Sequence, residues 1–64
     1  MNYLGYTGTV TYSPVDKVYH GRIENVSDHL VTYEGDTKEE CEYAFQQAVE
    51  DYIELLKKLN ENNK

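Results

Sequence analysis

The 64-residue chain predicts an α+β fold, a three-stranded antiparallel sheet in β-β-β-α order with one long helix packed on one face. Three observations predict it: period-two alternation in three separate stretches, turn-forming residues between them, and an apolar stripe at spacings of three and four behind a capping signal.

The first stretch runs from Tyr3 to Tyr12, with Leu4, Tyr6, Val10 and Tyr12 on one face and Thr7, Thr9 and Thr11 on the other. That alternation is the pattern of a half-buried strand. Ser13-Pro14-Val15-Asp16 then supplies a proline whose fixed φ suits a turn, flanked by Ser and Asp that bond their own backbone. Lys17 to Glu24 alternates again, placing Tyr19 and Ile23 inward and Val18, His20, Arg22 and Glu24 outward. After a break at Asn25-Val26-Ser27-Asp28, the run Leu30 to Glu34 reads as a third strand with Val31 and Tyr33 inward, closed by Gly35-Asp36.

Thr37-Lys38-Glu39-Glu40 is a capping box, in which the Thr hydroxyl accepts the Glu40 amide and the Glu40 carboxylate reaches back to Thr37. Cys41, Phe45, Ala48, Tyr52, Leu55 and Leu59 follow at helical spacing, and Ala44, Val49 and Leu56 widen the stripe into a core-facing face. Such a helix spans about 23 residues, near 34 Å at 1.5 Å per residue. Acids crowd its first turn and Lys57 and Lys58 its last, as the helix dipole favours. The helix is expected to cover Tyr6, Val10, Tyr19, Ile23, Val31 and Tyr33, with Gly8 and Gly21 giving it room to lie close. Thr7, Thr9, His20, Arg22, Glu24 and Thr32 then line the opposite, open face. Residues 1–59 make one domain, and the polar residues 60–64 a frayed tail.

A chain this short buries only about 60% of its unfolded surface, so its core is thin. Seven of its apolar residues are Tyr, which carry a hydroxyl as well as an apolar ring and favour interfaces. Both features point to stability drawn from a second protein or from a homo-oligomer, a dimer or tetramer. The lone Cys41 excludes an internal disulfide, no secretion signal is visible, and no run approaches the roughly 20 apolar residues of a membrane span. The expected location is the cytoplasm.

The net charge of −6 is unevenly distributed. Residues 24–54 hold ten acids against the single base Lys38, a local balance of −9. Phosphate recognition rests on clustered Lys and Arg, so direct nucleic-acid binding is not expected, whereas a basic protein would be attracted and steered.

The blocks Tyr19-His20-Gly21-Arg22-Ile23-Glu24-Asn25-Val26, Leu30-Val31-Thr32-Tyr33-Glu34-Gly35-Asp36-Thr37, Ala44-Phe45 and Ala48-Val49-Glu50-Asp51-Tyr52 occur in an order and spacing that resembles the HicB antitoxins. Tyr6-Thr7-Gly8 in the N-terminal stretch fits the same pattern, and the resemblance covers Tyr3 to about Leu56. It implies a type II antitoxin domain of a bacterium or phage, with a partial RNase H-like fold. Such a domain binds the small basic HicA toxin, a ribonuclease with a double-stranded-RNA-binding fold and a catalytic His, and covers its mRNA-cleaving site. Complete members of the family usually continue into a DNA-binding segment. The sequence ends at Lys64 without one, so no DNA binding is expected of it. A minimal member, an orphan and the N-terminal domain of a longer protein all remain open readings.

Residues suited to chemistry are few. His20, His29 and Cys41 lack metal-ligand spacing, and Cys41 sits on the apolar stripe with no base near it in sequence, so no metal, cofactor or nucleophilic role is expected. A two-metal nuclease needs carboxylates converging on ions about 4 Å apart. Only Glu24 and Glu34 could share the open face, so no enzymatic activity is expected. Glu39, Glu42, Glu50, Asp51 and Glu54 read singly as a solvated helix face and together as a charge mimic of RNA. The residues expected to touch a partner are His20, Arg22, Glu24, Asn25 and Asp28 at one end of the open face and its adjoining loop, with Glu34 and Asp36.

Overall fold

The computed structural model describes residues 1–26 and 29–62. Five strands, β1 (Asn2–Tyr3), β2 (Tyr6–Thr7), β3 (Thr11–Ser13), β4 (Val18–Arg22) and β5 (Thr32–Gly35), precede one helix, α1 (Lys38–Asn62). Strands β3, β4 and β5 form an antiparallel sheet in that spatial order, and α1 packs across one of its faces. The α+β class and the three-strands-plus-helix arrangement expected from the sequence are therefore observed.

The first strand departs from expectation. Instead of running unbroken from Tyr3 to Tyr12, the chain folds back at Leu4 and Gly5, whose φ angles of 51° and 86° give the two-residue turn that joins β1 to β2. Leu4 consequently points to solvent, 60% exposed, rather than into the core. Beyond the hairpin the chain rejoins β4 in a single register: Gly8 bridges Ile23, and Thr11, Tyr12 and Ser13 pair with His20, Tyr19 and Val18. Between them, the Arg22 amide donates to Thr9 Oγ1 at 3.1 Å, which leaves the Thr9 carbonyl free to accept from the Tyr33 hydroxyl at 2.7 Å.

The turn after β3 forms where Pro14 and Asp16 predict it. The Asp16 amide donates to Ser13 Oγ at 3.4 Å, the Lys17 amide donates to the Ser13 carbonyl at 2.7 Å, and Lys17 takes φ 58°. On the other side of β4, Tyr19, His20, Gly21 and Arg22 pair with Gly35, Glu34, Tyr33 and Thr32.

The core consists of Ile23, Tyr33, Cys41, Phe45 and Val49, with Tyr6, Val10, Tyr19, Val31, Ala44 and Ala48 packed against it half-buried. Full burial of side chains such as Phe45 and Val49 stabilises by about 1.5–3 kcal/mol each. Gly8 permits this packing, because a Cβ there would lie 2.6 Å from the Phe45 ring. Gly21 makes room for the Thr9 carbonyl and the Tyr33 ring rather than for the helix.

Three details of the helix differ from expectation. The Glu40 amide does donate to Thr37 Oγ1 at 3.1 Å, but the Glu40 carboxylate accepts the Asp36 amide, also at 3.1 Å, one residue further back than a capping box requires. The helix also continues to Asn62, so Lys57 and Lys58 lie upstream of its last turn rather than in it. At 1.5 Å per residue the helix is about 37 Å long, roughly twice the reach of a five-residue strand. Its C-terminal turns overhang the sheet. Leu55, Leu56 and Leu59, expected to continue the core stripe, are 41%, 37% and 44% exposed.

Candidate protein-interaction surface

The sheet face away from α1 is polar because β4 and β5 alternate. His20 stands between Thr11 of β3 and Glu34 of β5, and Arg22 stands opposite Thr32. All five side chains are exposed. Thr9, Thr11, His20, Arg22 and Thr32 line one shallow depression, with His20, Thr32 and Glu34 around another. The register places the Arg22 guanidinium diagonal to Glu34 rather than opposite it, a geometry in which an exposed ion pair contributes only a few tenths of a kcal/mol.

The remaining residues expected at a partner surface have other surroundings. Glu24 continues the β4 alternation and is exposed, while its amide donates to the Thr7 carbonyl at 2.8 Å. Asn25 serves the fold itself. Its Oδ1 accepts the Thr7 amide at 2.8 Å and its Nδ2 donates to the Gly5 carbonyl at 3.0 Å, pinning the β1–β2 hairpin to the end of β4. Asp36 sits at the start of α1, its amide held by Glu40. Asp28 lies outside the described residues. The structure thus brings together His20, Arg22 and Glu34, leaves Glu24 beside Arg22 just past the end of β4, ties Asn25 to the β1–β2 hairpin and sets Asp36 at the start of α1.

The outward side of α1 carries Glu39, Glu50, Asp51 and Glu54 exposed, with Glu42 half-buried. Glu50 is tied to the hairpin, accepting the Tyr3 hydroxyl at 2.9 Å. That hydrogen bond, followed by burial and the carboxylate charge, raises the Tyr3 phenol above its ordinary value.

No chemistry-bearing constellation accompanies these surfaces among the described residues. No group of three or more His, Cys, Asp and Glu side chains there is placed to hold a metal ion. Cys41 is fully buried, and that burial, reinforced by the Glu42 charge, pushes its thiol above the ordinary range and away from the thiolate a nucleophile requires. No helix is long and apolar enough to cross a membrane, among the described residues.

No family model, curated protein or solved structure matches the chain.

One feature of that surface goes beyond the residues expected at a partner contact: the apolar overhang of Leu55, Leu56 and Leu59. The signal was available in the sequence, since a stripe from Cys41 to Leu59 is longer than strands of four or five residues can cover.

Proposed function

We propose that this chain is a HicB-like antitoxin, its helix and sheet forming a partial RNase H-like domain that binds a basic HicA-type ribonuclease in the cytoplasm and covers its RNA-binding surface. It acts by occupying the toxin, not by chemistry upon it, and needs no cofactor.

The observation that carries this reading is the exposed carboxylate set of Glu39, Glu50, Asp51 and Glu54 on a single helix, in a chain segment of net −9. Glu50, Asp51 and Glu54 cluster within about a turn and Glu39 stands about three turns before them, so the helix presents negative charge at two points along its length. A basic RNA-binding surface would accept it in place of phosphate. The polar sheet face adds His20, Arg22 and Glu34 as directional hydrogen-bonding groups that could fix the orientation of a partner.

Co-expression with a HicA-type toxin encoded beside this chain tests the reading. Growth should be restored and the two proteins should co-purify, with the complex weakening as salt rises because exposed charges are screened within about 10 Å at 0.1 M. Unrelieved toxicity with no co-purification sinks the proposal.

A second reading is favoured by a separate observation, the uncovered leucines at the end of α1. In it the chain is an orphan HicB-like interaction domain that oligomerises and has no toxin partner. A neighbouring reading frame that encodes no small basic protein with a HicA-type His would favour it.

A further inference from the structure

The C-terminal turns of α1 carry an apolar strip without a sheet beneath it. Leu55, Leu56 and Leu59 are each more than a third exposed, although they continue the side of the helix that Cys41, Phe45 and Val49 bury completely upstream. Beside the strip, Val31, Thr32, Ala48, Asp51, Tyr52 and Leu55 form a shallow groove between the edge strand β5 and the helix. Its floor is held in place by aromatic contacts, Tyr52 meeting Tyr6 edge-on at 5.6 Å and His29 at 5.4 Å. Contiguous exposed apolar surface of this kind, rimmed by charge, is the usual mark of an association site.

The charges beside the strip identify the occupant. Asp51 and Lys58 are seven residues apart, so they lie two turns apart on the same flank of the strip. When two such helices pack antiparallel about a two-fold axis, flanking positions of this type face each other across the seam, and each Lys58 meets the other chain's Asp51. The same register sets Leu55 against Tyr52 and Leu59 against Ala48, which seats each Leu59 in the groove of the opposite copy. The strip is therefore complementary to itself in polarity and in charge.

We propose that the overhanging end of α1 is a homodimer surface, in which a second copy of this chain packs antiparallel across a two-fold axis with Leu55, Leu56 and Leu59 buried and Lys58 of each copy paired with Asp51 of the other. An isologous interface of this kind closes on itself and leaves the polar sheet face and the N-terminal helix acids uncovered. It does not rest on the antitoxin reading, because its test contains no toxin.

Sedimentation equilibrium of the purified chain, from the micromolar to the millimolar range, is the experiment. A monomer–dimer equilibrium is expected, with Leu55→Glu and Leu59→Glu each leaving a monomer of unchanged helical circular dichroism. Lys58→Glu should weaken the dimer at least tenfold, and Asp51→Lys added to it should restore the dimer by reversing both pairs. A chain monomeric throughout the range overturns the proposal. So does a dimer indifferent to Leu59→Glu but dissolved by Thr32→Pro, which would place the contact on the β5 edge. Failure of the double charge reversal to restore association overturns the antiparallel register.

Discussion

The Tyr33 hydroxyl donates to the Thr9 carbonyl at 2.7 Å, and lies 3.2 Å from the Arg22 carbonyl, tying the edge strand β5 to the segment on the far side of β4. A single side chain thus spans the three strands from beneath, at the point where the β2-to-β3 segment departs from regular pairing. Removing it by Tyr33→Phe should leave the Thr9 carbonyl without that donor and cost about 1–2 kcal/mol. Urea unfolding should show a lower midpoint with an unchanged slope, because the surface exposed on unfolding is the same.

The two glycines of the N-terminal region should respond differently to the same methyl group. Gly8→Ala drives a Cβ against the Phe45 ring and the Tyr33 hydroxyl and should destabilise by about 3 kcal/mol, at the upper end of core overpacking. Gly5→Ala meets no atom within 4 Å and only strains a residue at φ +86°, which costs about 1 kcal/mol. Thermal unfolding of the pair should rank them in that order.

Alkaline pH should unfold the chain through its core. Burial pushes the Cys41 thiol above its ordinary value of 9.0 and the Tyr33 phenol above 10.0. The folded state therefore holds these protons more tightly than the unfolded one. Their contribution is complete below the unfolded values and is lost as pH rises through the folded ones. The urea midpoint should fall above about pH 9, and a midpoint that rises there would contradict this. At neutral pH the buried Cys41 should react with a thiol reagent only as fast as the chain opens.

For the proposed HicA-type partner, a contact through the helix acids can be told apart from one through the sheet face. Glu39→Gln with Glu54→Gln removes two exposed charges that lie off the apolar strip and make no hydrogen bond on which the fold depends, so stability should hold within about 0.5 kcal/mol. Association with a HicA-type toxin, followed by stopped flow, should slow about tenfold at low salt if the helix meets the toxin, and little if His20, Arg22 and Glu34 do.

Much of this architecture is legible in the sequence because its signals are local. The alternation of Lys17 to Glu24, the Pro14 turn and the Thr37 cap each act within a few residues. The β1–β2 hairpin was less legible, because Leu4 continued the alternation while the turn depended on a left-handed Leu4 beside Gly5. The structural role of Asn25 was not legible, because an exposed polar residue in a loop carries no sign that its amide will bond Thr7 and Gly5, 18 and 20 residues away in sequence. The apolar period of α1 marks a stripe, but a period does not say where the sheet beneath it stops.

Whether the chain neutralises a HicA-type ribonuclease by occupying it, as proposed above, is decided by a cleavage assay. With purified HicA-type ribonuclease and a labelled mRNA, cleavage should decline in proportion to added chain, reach completion near one equivalent, and return as salt is raised. Undiminished cleavage in the presence of excess folded chain at low salt would rule out neutralisation by occupancy.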